Sequence, residues 1–138
     1  MSHTRRDCAL ALATLALARG ADGKKLASTT WKFEDLPVKE NKSGAKGRAV
    51  LNGETHTGFP IEMHLTELLP GQEPHPPHHH VREEMIMIQS GLMEVTISGK
   101  ASRLGPGSVA FVASNEEHGW RNVGDTKALY FVMALGKD

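Results

Sequence analysis

From Arg48 onward, turn-forming residues interrupt the chain at short, regular intervals: Gly58-Phe59-Pro60, Pro70-Gly71, Ser90-Gly91, Ser98-Gly99-Lys100, Gly105-Pro106-Gly107 and Gly124-Asp125. Glycine supplies positive φ and proline presets it, so such clusters reverse the chain. The segments between them predict strands over Arg48–Asn52, Ile61–Leu69, Met85–Gln89, Leu92–Ser98, Ala101–Leu104, Ser108–Val112, His118–Asn122 and Leu129–Leu135. No helical period competes with them. Eight short strands at this spacing close into a sandwich or barrel, so the fold class is all-β. The chain has 138 residues, room for one domain, and its 5% aromatic content leaves the core mostly aliphatic.

The N-terminus is of another kind. Arg5-Arg6 precedes an apolar run from Cys8 to Ala18. That run is too short to span a bilayer, so no stable membrane anchor is expected. It has the length of the apolar segment of an export signal, and the paired arginines resemble a twin-arginine signal. Residues 1–20 are therefore expected to be an export signal, with cleavage near Ala16-Leu17-Ala18 and a periplasmic or secreted product. An ordinary Ala/Leu-rich helix, and a cytoplasmic protein, is the alternative. Residues 21–46 then form an arm in which Trp31 and Phe33 anchor a short edge strand and Lys39 to Gly47 is a solvated loop. Residues 47–138 form the barrel. Cys8 is the only cysteine, so the body has neither disulfides nor thiolate ligands. Removing residues 1–20 takes away three of sixteen basic and one of sixteen acidic residues, leaving 13 against 15. The whole chain has zero formal charge, so a nucleic-acid footprint is not indicated.

The chemistry is concentrated between Gly71 and Asn122. The segment GQEPHPPHHHVREEMIMIQSG places His78 and His80 one residue apart, Glu84 four residues later, and GSVAFVASNEEHGWRN supplies a distant His118. Alternate residues of an extended chain share a face, so His78, His80 and Glu84 can project together while His118 closes the set from a later strand. By the same parity His79 points away. Glu83 is a poorer carboxylate than Glu84, and His75 is expected in solvent, with shaping of the pocket entrance as the alternative. A merely polar, proline-rich loop is the bland reading of PHPPHHH.

These blocks resemble the two motifs of the cupins. The first, roughly G-x5-H-x-H-x3-4-E-x6-G, is met by Gly71, His78, His80, Glu84 and Gly91, with Gly71 one residue further out than the pattern asks. The second, roughly G-x5-P-x-G-x2-H-x3-N, is met by Gly107, His118 and Asn122, with Ala113 in place of the proline and Asn115 in place of the glycine. Asparagine tolerates the left-handed backbone that glycine would supply. The resemblance spans residues 48–135 and implies a double-stranded β-helix, or jelly-roll cupin barrel, with His78, His80, Glu84 and His118 as metal ligands. Single-domain cupins often dimerise, which together with outward-facing Met85 and Met87 points to a homodimer.

Three imidazoles and a carboxylate suit one divalent transition metal per chain. Manganese or iron is favoured, because a folded-state export route could load a weakly held ion first; zinc, nickel, cobalt and copper remain compatible donors. The expected activity is metal-dependent oxidoreduction of dioxygenase type on a small chelating molecule, with Glu84 also a catalytic base. A metal-assisted isomerase or hydrolase, and a non-catalytic binding module, are the alternatives. By parity the substrate pocket should draw on Ile86 and Ile88, Trp120 and Asn122, and His64, with a last wall from Val132 and Ala134 or from Phe131 and Met133.

Overall fold

A computed structural model describes residues 24–138. The expected export segment and Cys8 lie outside these residues. The described chain forms β1 (Val38–Glu40), β2 (Lys46–Glu54), β3 (Pro60–Leu68), β4 (Glu83–Ser90), β5 (Met93–Ile97), β6 (Lys100–Leu104), β7 (Val109–Val112), β8 (His118–Asn122) and β9 (Ala128–Leu135). They make two facing antiparallel sheets, a six-stranded one in the order β1-β2-β3-β9-β4-β7 and a three-stranded one in the order β6-β5-β8. The strand spacing predicts an all-β sandwich or barrel, and the fold is the jelly-roll barrel that the motif resemblance implies.

The core lies between the sheets. Strand β9 runs through the middle of the larger sheet, paired on both sides, and alternates without a break: Ala128, Tyr130, Val132 and Ala134 are buried, and the residues between them are half-exposed. Ile86, Ile88, Met93, Val95 and Trp120 join them from β4, β5 and β8. Strict period-two burial of this kind is what one inward face and one outward face require. The inner wall contributed by β9 is thus Val132 and Ala134, and Phe131 and Met133 face outward. Met85 and Met87 lie on that outer face too, opposite Met133 and Phe131.

Local chemistry sets the turns. Ser98 and Gly99 both have positive φ, +48° and +79°, and join β5 to β6 in the two-residue geometry whose twist matches the flanking strands. Asn41 shapes the β1–β2 turn by accepting hydrogen bonds from the Ser43 and Ala45 amides, each at 3.0 Å. That turn corrects one expectation. Residues 39–47 are not a solvated loop, because Val38–Glu40 pairs with β2 as an edge strand. Its three residues are all exposed and charged or β-branched, a pattern that carries no alternation to read. The arm differs as well: Phe33–Asp35 is a 3-10 turn and no strand, with the Arg48 guanidinium 4.5 Å above the Phe33 ring.

Asn115 has φ +63°, so asparagine does supply the left-handed conformation at the position where the motif has glycine. Gly91 is a stricter case. Its φ is +84°, and an added Cβ would lie 2.7 Å from the Ala128 Cα and 2.9 Å from the Lys127 carbonyl oxygen, both backbone atoms. Gly91→Ala should therefore destabilise the fold by about 3 kcal/mol, strain and overlap combined. Urea titration reads this as a lowered midpoint, and a midpoint equal to wild type would show that the β4–β5 turn can relax. Asn115→Gly should stay within ~1 kcal/mol of wild type.

Candidate metal centre

Two backbone hydrogen bonds bring the halves of the site together. The His78 amide donates to the His118 carbonyl at 3.0 Å, and the His118 amide donates to the His78 carbonyl at 2.8 Å. This single antiparallel bridge stitches the His-rich loop to the first residue of β8. The Asn115 amide then donates to the His80 carbonyl at 2.8 Å, which fixes the loop two residues further on. Glu84 enters from the start of β4, opposite Val112 and Ala134.

The three imidazoles stand nearly perpendicular to one another at the corners of an almost equilateral triangle. The centroid separations are 5.1 Å for His78–His80, 4.9 Å for His78–His118 and 5.0 Å for His80–His118. One nitrogen from each ring lies within 4.8 Å of the other two, close enough for the three to hold one metal ion. Glu84 caps two corners, with Oε1 3.3 Å from His80 Nε2 and Oε2 3.4 Å from His118 Nε2.

Three observations show that these residues fit a metal. First, the tautomers are set: His80 Nδ1 faces the Arg82 carbonyl at 2.7 Å and His118 Nδ1 faces the Glu116 carbonyl at 2.8 Å. A carbonyl only accepts, so each Nδ1 carries the proton and each Nε2 presents its lone pair to the centre. Second, His78 Nε2, His118 Nε2 and Glu84 Oε2 are buried with no hydrogen-bond partner in the protein. Buried polar atoms without partners are costly and uncommon, and here three of them converge on one point. Third, the proton affinity of His78 is pushed from 6.5 down to about 4, chiefly by burial and then by the neighbouring His75, His118, His80 and His79. His78 is thus neutral at physiological pH, as a metal ligand must be.

Aromatic rings support the triangle from behind. His118 stacks on Trp120 at 5.4 Å, and the Trp120 Nε1–H donates to the Tyr130 hydroxyl at 2.9 Å. Burial holds the Tyr130 phenol well above its ordinary value, so it remains a neutral hydroxyl. His75 stacks on His78 at 4.1 Å and meets Trp120 edge-on at 5.8 Å. It is therefore not a solvent histidine but a brace for a ligand, which only the loop's backward fold reveals. His79 is exposed, as parity predicts.

The cavity beside the triangle has a volume of about 260 Å3, and its lining beyond the three ligand-type residues His78, His80 and Glu84 is Glu62, His64, Arg82, Ala134 and Asp138. Of the expected pocket residues, His64 and Ala134 are there. Ile86 and Ile88 are core side chains, 0% and 3% exposed, and Trp120 lies behind His118. Asn122 is a correction of a different kind. Its Nδ2 donates to the Leu68 and Thr126 carbonyls at 3.0 and 2.8 Å, and its Oδ1 accepts from the Gly124 amide at 3.0 Å, so the side chain ties β8 to β3 and to the following turn. Sharing a face with His118 put it inward, but inward there means core. Arg82 and Glu62 were missed. Arg82 Nη2 pairs with Glu62 Oε2 at 3.1 Å, and Glu62 Oε1 lies 3.5 Å from His64 Nδ1. Ionisable residues at i and i+2 on the inner face of β3, Glu62 and His64, are the signal that could have found the pocket.

The chain belongs to the cupin family: the cupin domain pattern matches residues 64–134, half of its length. Solved structures agree on the fold. An RmlC-like cupin from Shewanella frigidimarina superposes with a TM-score of 0.67 at 16% identity, covering 84% of this chain and 95% of that one. The polyketide cyclase RemF from Streptomyces resistomycificus gives 0.67 at 18% identity, covering 80% and 81%. A cupin-superfamily sugar phosphate isomerase from Silicibacter pomeroyi gives 0.66 at 14% identity, covering 79% and 76%. No curated protein sequence matches the chain. The activities named for these neighbours differ, and likeness at this identity establishes the barrel alone.

His78 gives the apoprotein a pH dependence whose sign follows from its lowered proton affinity. Between pH 6.5 and about 4 the unfolded chain binds this proton and the folded chain does not, so stability is full above 6.5 and falls as pH drops towards 4. His78→Gln should flatten that part of the profile. Urea midpoints at pH 7 and pH 4.5 check this, and equal pH slopes for variant and wild type would contradict it. In the holoprotein His80→Ala should weaken metal binding by more than the ~10–100-fold that loss of a supporting residue costs. Metal analysis after dialysis reads it out.

Proposed function

We propose that this cupin is a metal-dependent enzyme acting on a small oxygen-chelating molecule, by acid–base chemistry at a carbon next to the chelating oxygens. The observation that carries this reading is the His64–Glu62 pair on the wall of the metal cavity. Neither residue belongs to the ligand triangle, yet both line the space a chelating substrate would fill. His78, His80 and His118 would hold the ion, with Glu84 as fourth donor. When bound, a divalent ion supplies Lewis-acid polarisation of substrate oxygens and leaves coordination positions open. His64 would take a proton from the substrate carbon at one imidazole nitrogen and return it elsewhere, with Glu62 orienting the ring through Nδ1. Arg82 holds Glu62 in place and adds a positive charge at the cavity wall. Isomerisation is the simplest outcome of such a transfer, and hydrolysis uses the same parts with water as the nucleophile.

A second reading, oxidoreduction of dioxygenase type, is supported by the donor set, since three histidines and a carboxylate with open positions also suit oxygen chemistry. Under it Glu84 would be the base, and manganese or iron the ion. Two further proposals accompany both readings. The outer face of the large sheet, with Met85, Met87 and the half-exposed Val109 and Phe111, would be covered by a second copy of the chain. Residues 1–20 would export the folded, loaded protein.

The metal-loaded protein, incubated in D2O under argon with aldose–ketose pairs and α-hydroxy ketones, should exchange deuterium at the carbon next to the carbonyl. His64→Ala should lower that exchange by about 100-fold or more at unchanged metal stoichiometry. Oxygen uptake with diketones or catechols, without anaerobic exchange, would instead establish the oxygenase reading. Neither activity, with a ligand-dependent rise in Tm, would make the protein a binding module.

A further inference from the structure

The two sheets are unequal, and that leaves part of the larger one uncovered. Residues directly opposite one another in antiparallel strands point to the same face. One such row crosses the large sheet as Lys39, Gly47, Thr66, Tyr130 and Ile88. Tyr130 and Ile88 are core residues beneath the three-stranded sheet, so the whole row faces inward. At its β1–β2 end no strand lies above it. The inner face there carries Gly47 and Ala49 next to the buried Thr66, and an exposed lysine, Lys39, at the rim.

A second cavity of about 310 Å3 occupies this overhang, lined by Lys39, Glu40, Lys46, Gly47, Thr66 and Pro74 among others. His64 lines both this cavity and the 260 Å3 metal cavity. The two therefore adjoin at His64 and read as two lobes of one trough. Each alone lies near the lower limit of ligand sites, roughly 300–1,000 Å3, and the two together fall well inside it. The lobes also differ in charge. Glu62, Glu84 and Asp138 face one arginine in the metal lobe, whereas Lys39 is the charged side chain that the strand register turns to the inner face at the far lobe. Gly47 is informative because space is not what restricts it: an added Cβ would meet nothing nearer than the Lys39 carbonyl at 4.0 Å. The volume above it belongs to the trough.

We propose that the substrate is an elongated, hydroxyl-rich acid, a short sugar-acid chain in chemical class, which chelates in the metal lobe, passes His64 and places a carboxylate against Lys39 in the far lobe. The separation supports a chain over a single ring, because His64 on β3 and Lys39 on β1 are two strand spacings apart, roughly 10 Å. The inference rests on the metal-chelating site proposed above and names what that site receives.

Galacturonic acid and its α-1,4-linked dimer and trimer are suitable probes, with maltotriose as the uncharged control. Titration calorimetry on metal-loaded protein should give a trimer at least about tenfold tighter than the monomer, and maltotriose weaker than the trimer. Gly47→Val should weaken the trimer by about tenfold and leave the monomer and the metal content unchanged. Lys39→Ala should remove most of the advantage of trimer over maltotriose. Equal affinities along the series, no binding of any acid by protein that holds its metal, or a Gly47→Val effect equal for monomer and trimer would each overturn the trough. Protein that takes up no metal would overturn the metal-chelating site itself, and the trough proposal with it.

Discussion

The reciprocal pair of backbone hydrogen bonds between His78 and His118 is the constraint on which the site depends. His78 belongs to a loop with no strand neighbours of its own, and His118 opens β8 in the smaller sheet. A second pair of backbone bonds, from the Gly71 amide to the Asn122 carbonyl and from the Asn122 amide to the Gln72 carbonyl, fastens the start of the loop to the other end of β8, but the His78–His118 bridge is what sets the ligands. With it, two imidazoles 40 residues apart in sequence are held at 4.9 Å between centroids, and His80 follows because its carbonyl is bound by the Asn115 amide. Asn115 can make that contact because its backbone is left-handed. The second motif's turn thus positions the first motif's ligand.

Assembling the ligands in this way works against the apoprotein. Three lone-pair atoms point at one another, two of them buried imidazole nitrogens without partners, beside a carboxylate oxygen in the same condition. Burial and mutual repulsion hold His78 neutral, so protonation does not relieve the strain at neutral pH. A divalent cation does, since it satisfies all the orphaned atoms at once and is the one partner whose charge suits both imidazole lone pairs and a carboxylate. The stacking of His75 on His78 and of His118 on Trp120 keeps the rings from turning away in the meantime.

Most of the barrel was legible in the sequence because period-two burial and turn residues are local signals, and β9 shows both without interruption. The ligand positions were legible for a related reason: His78, His80 and Glu84 are close in sequence, and only His118 needed a distant match. What escaped reading depends on which neighbour covers a face. Asn122 and His64 both point inward, yet one is wholly engaged with backbone groups and the other lines a cavity, because β8's inner face packs against the larger sheet whereas the far end of β3's inner face borders a cavity. Edge strand β1 was illegible since an exposed three-residue strand has no buried face to pattern it. The role of His75 depended on a proline-directed loop folding back, and residue parity does not apply outside a strand.

Strand β3 condenses this division of labour into four side chains. Its inward positions run Leu68, Thr66, His64, Glu62, from fully buried to about a third exposed. Leu68 contributes to the core, where Asn122 ties the smaller sheet to its carbonyl. Beyond Thr66 that sheet no longer covers the strand, and the chain changes from apolar to ionisable within one strand length. A barrel whose two sheets matched would have to bury His64 and Glu62 or replace them with aliphatic residues, since unpaired charges do not persist in a core. Unequal sheets remove that requirement. They let one strand be core at one end and chemistry at the other, with the metal centre at the boundary, where imidazoles can be dry enough to stay neutral and a ligand can still reach them.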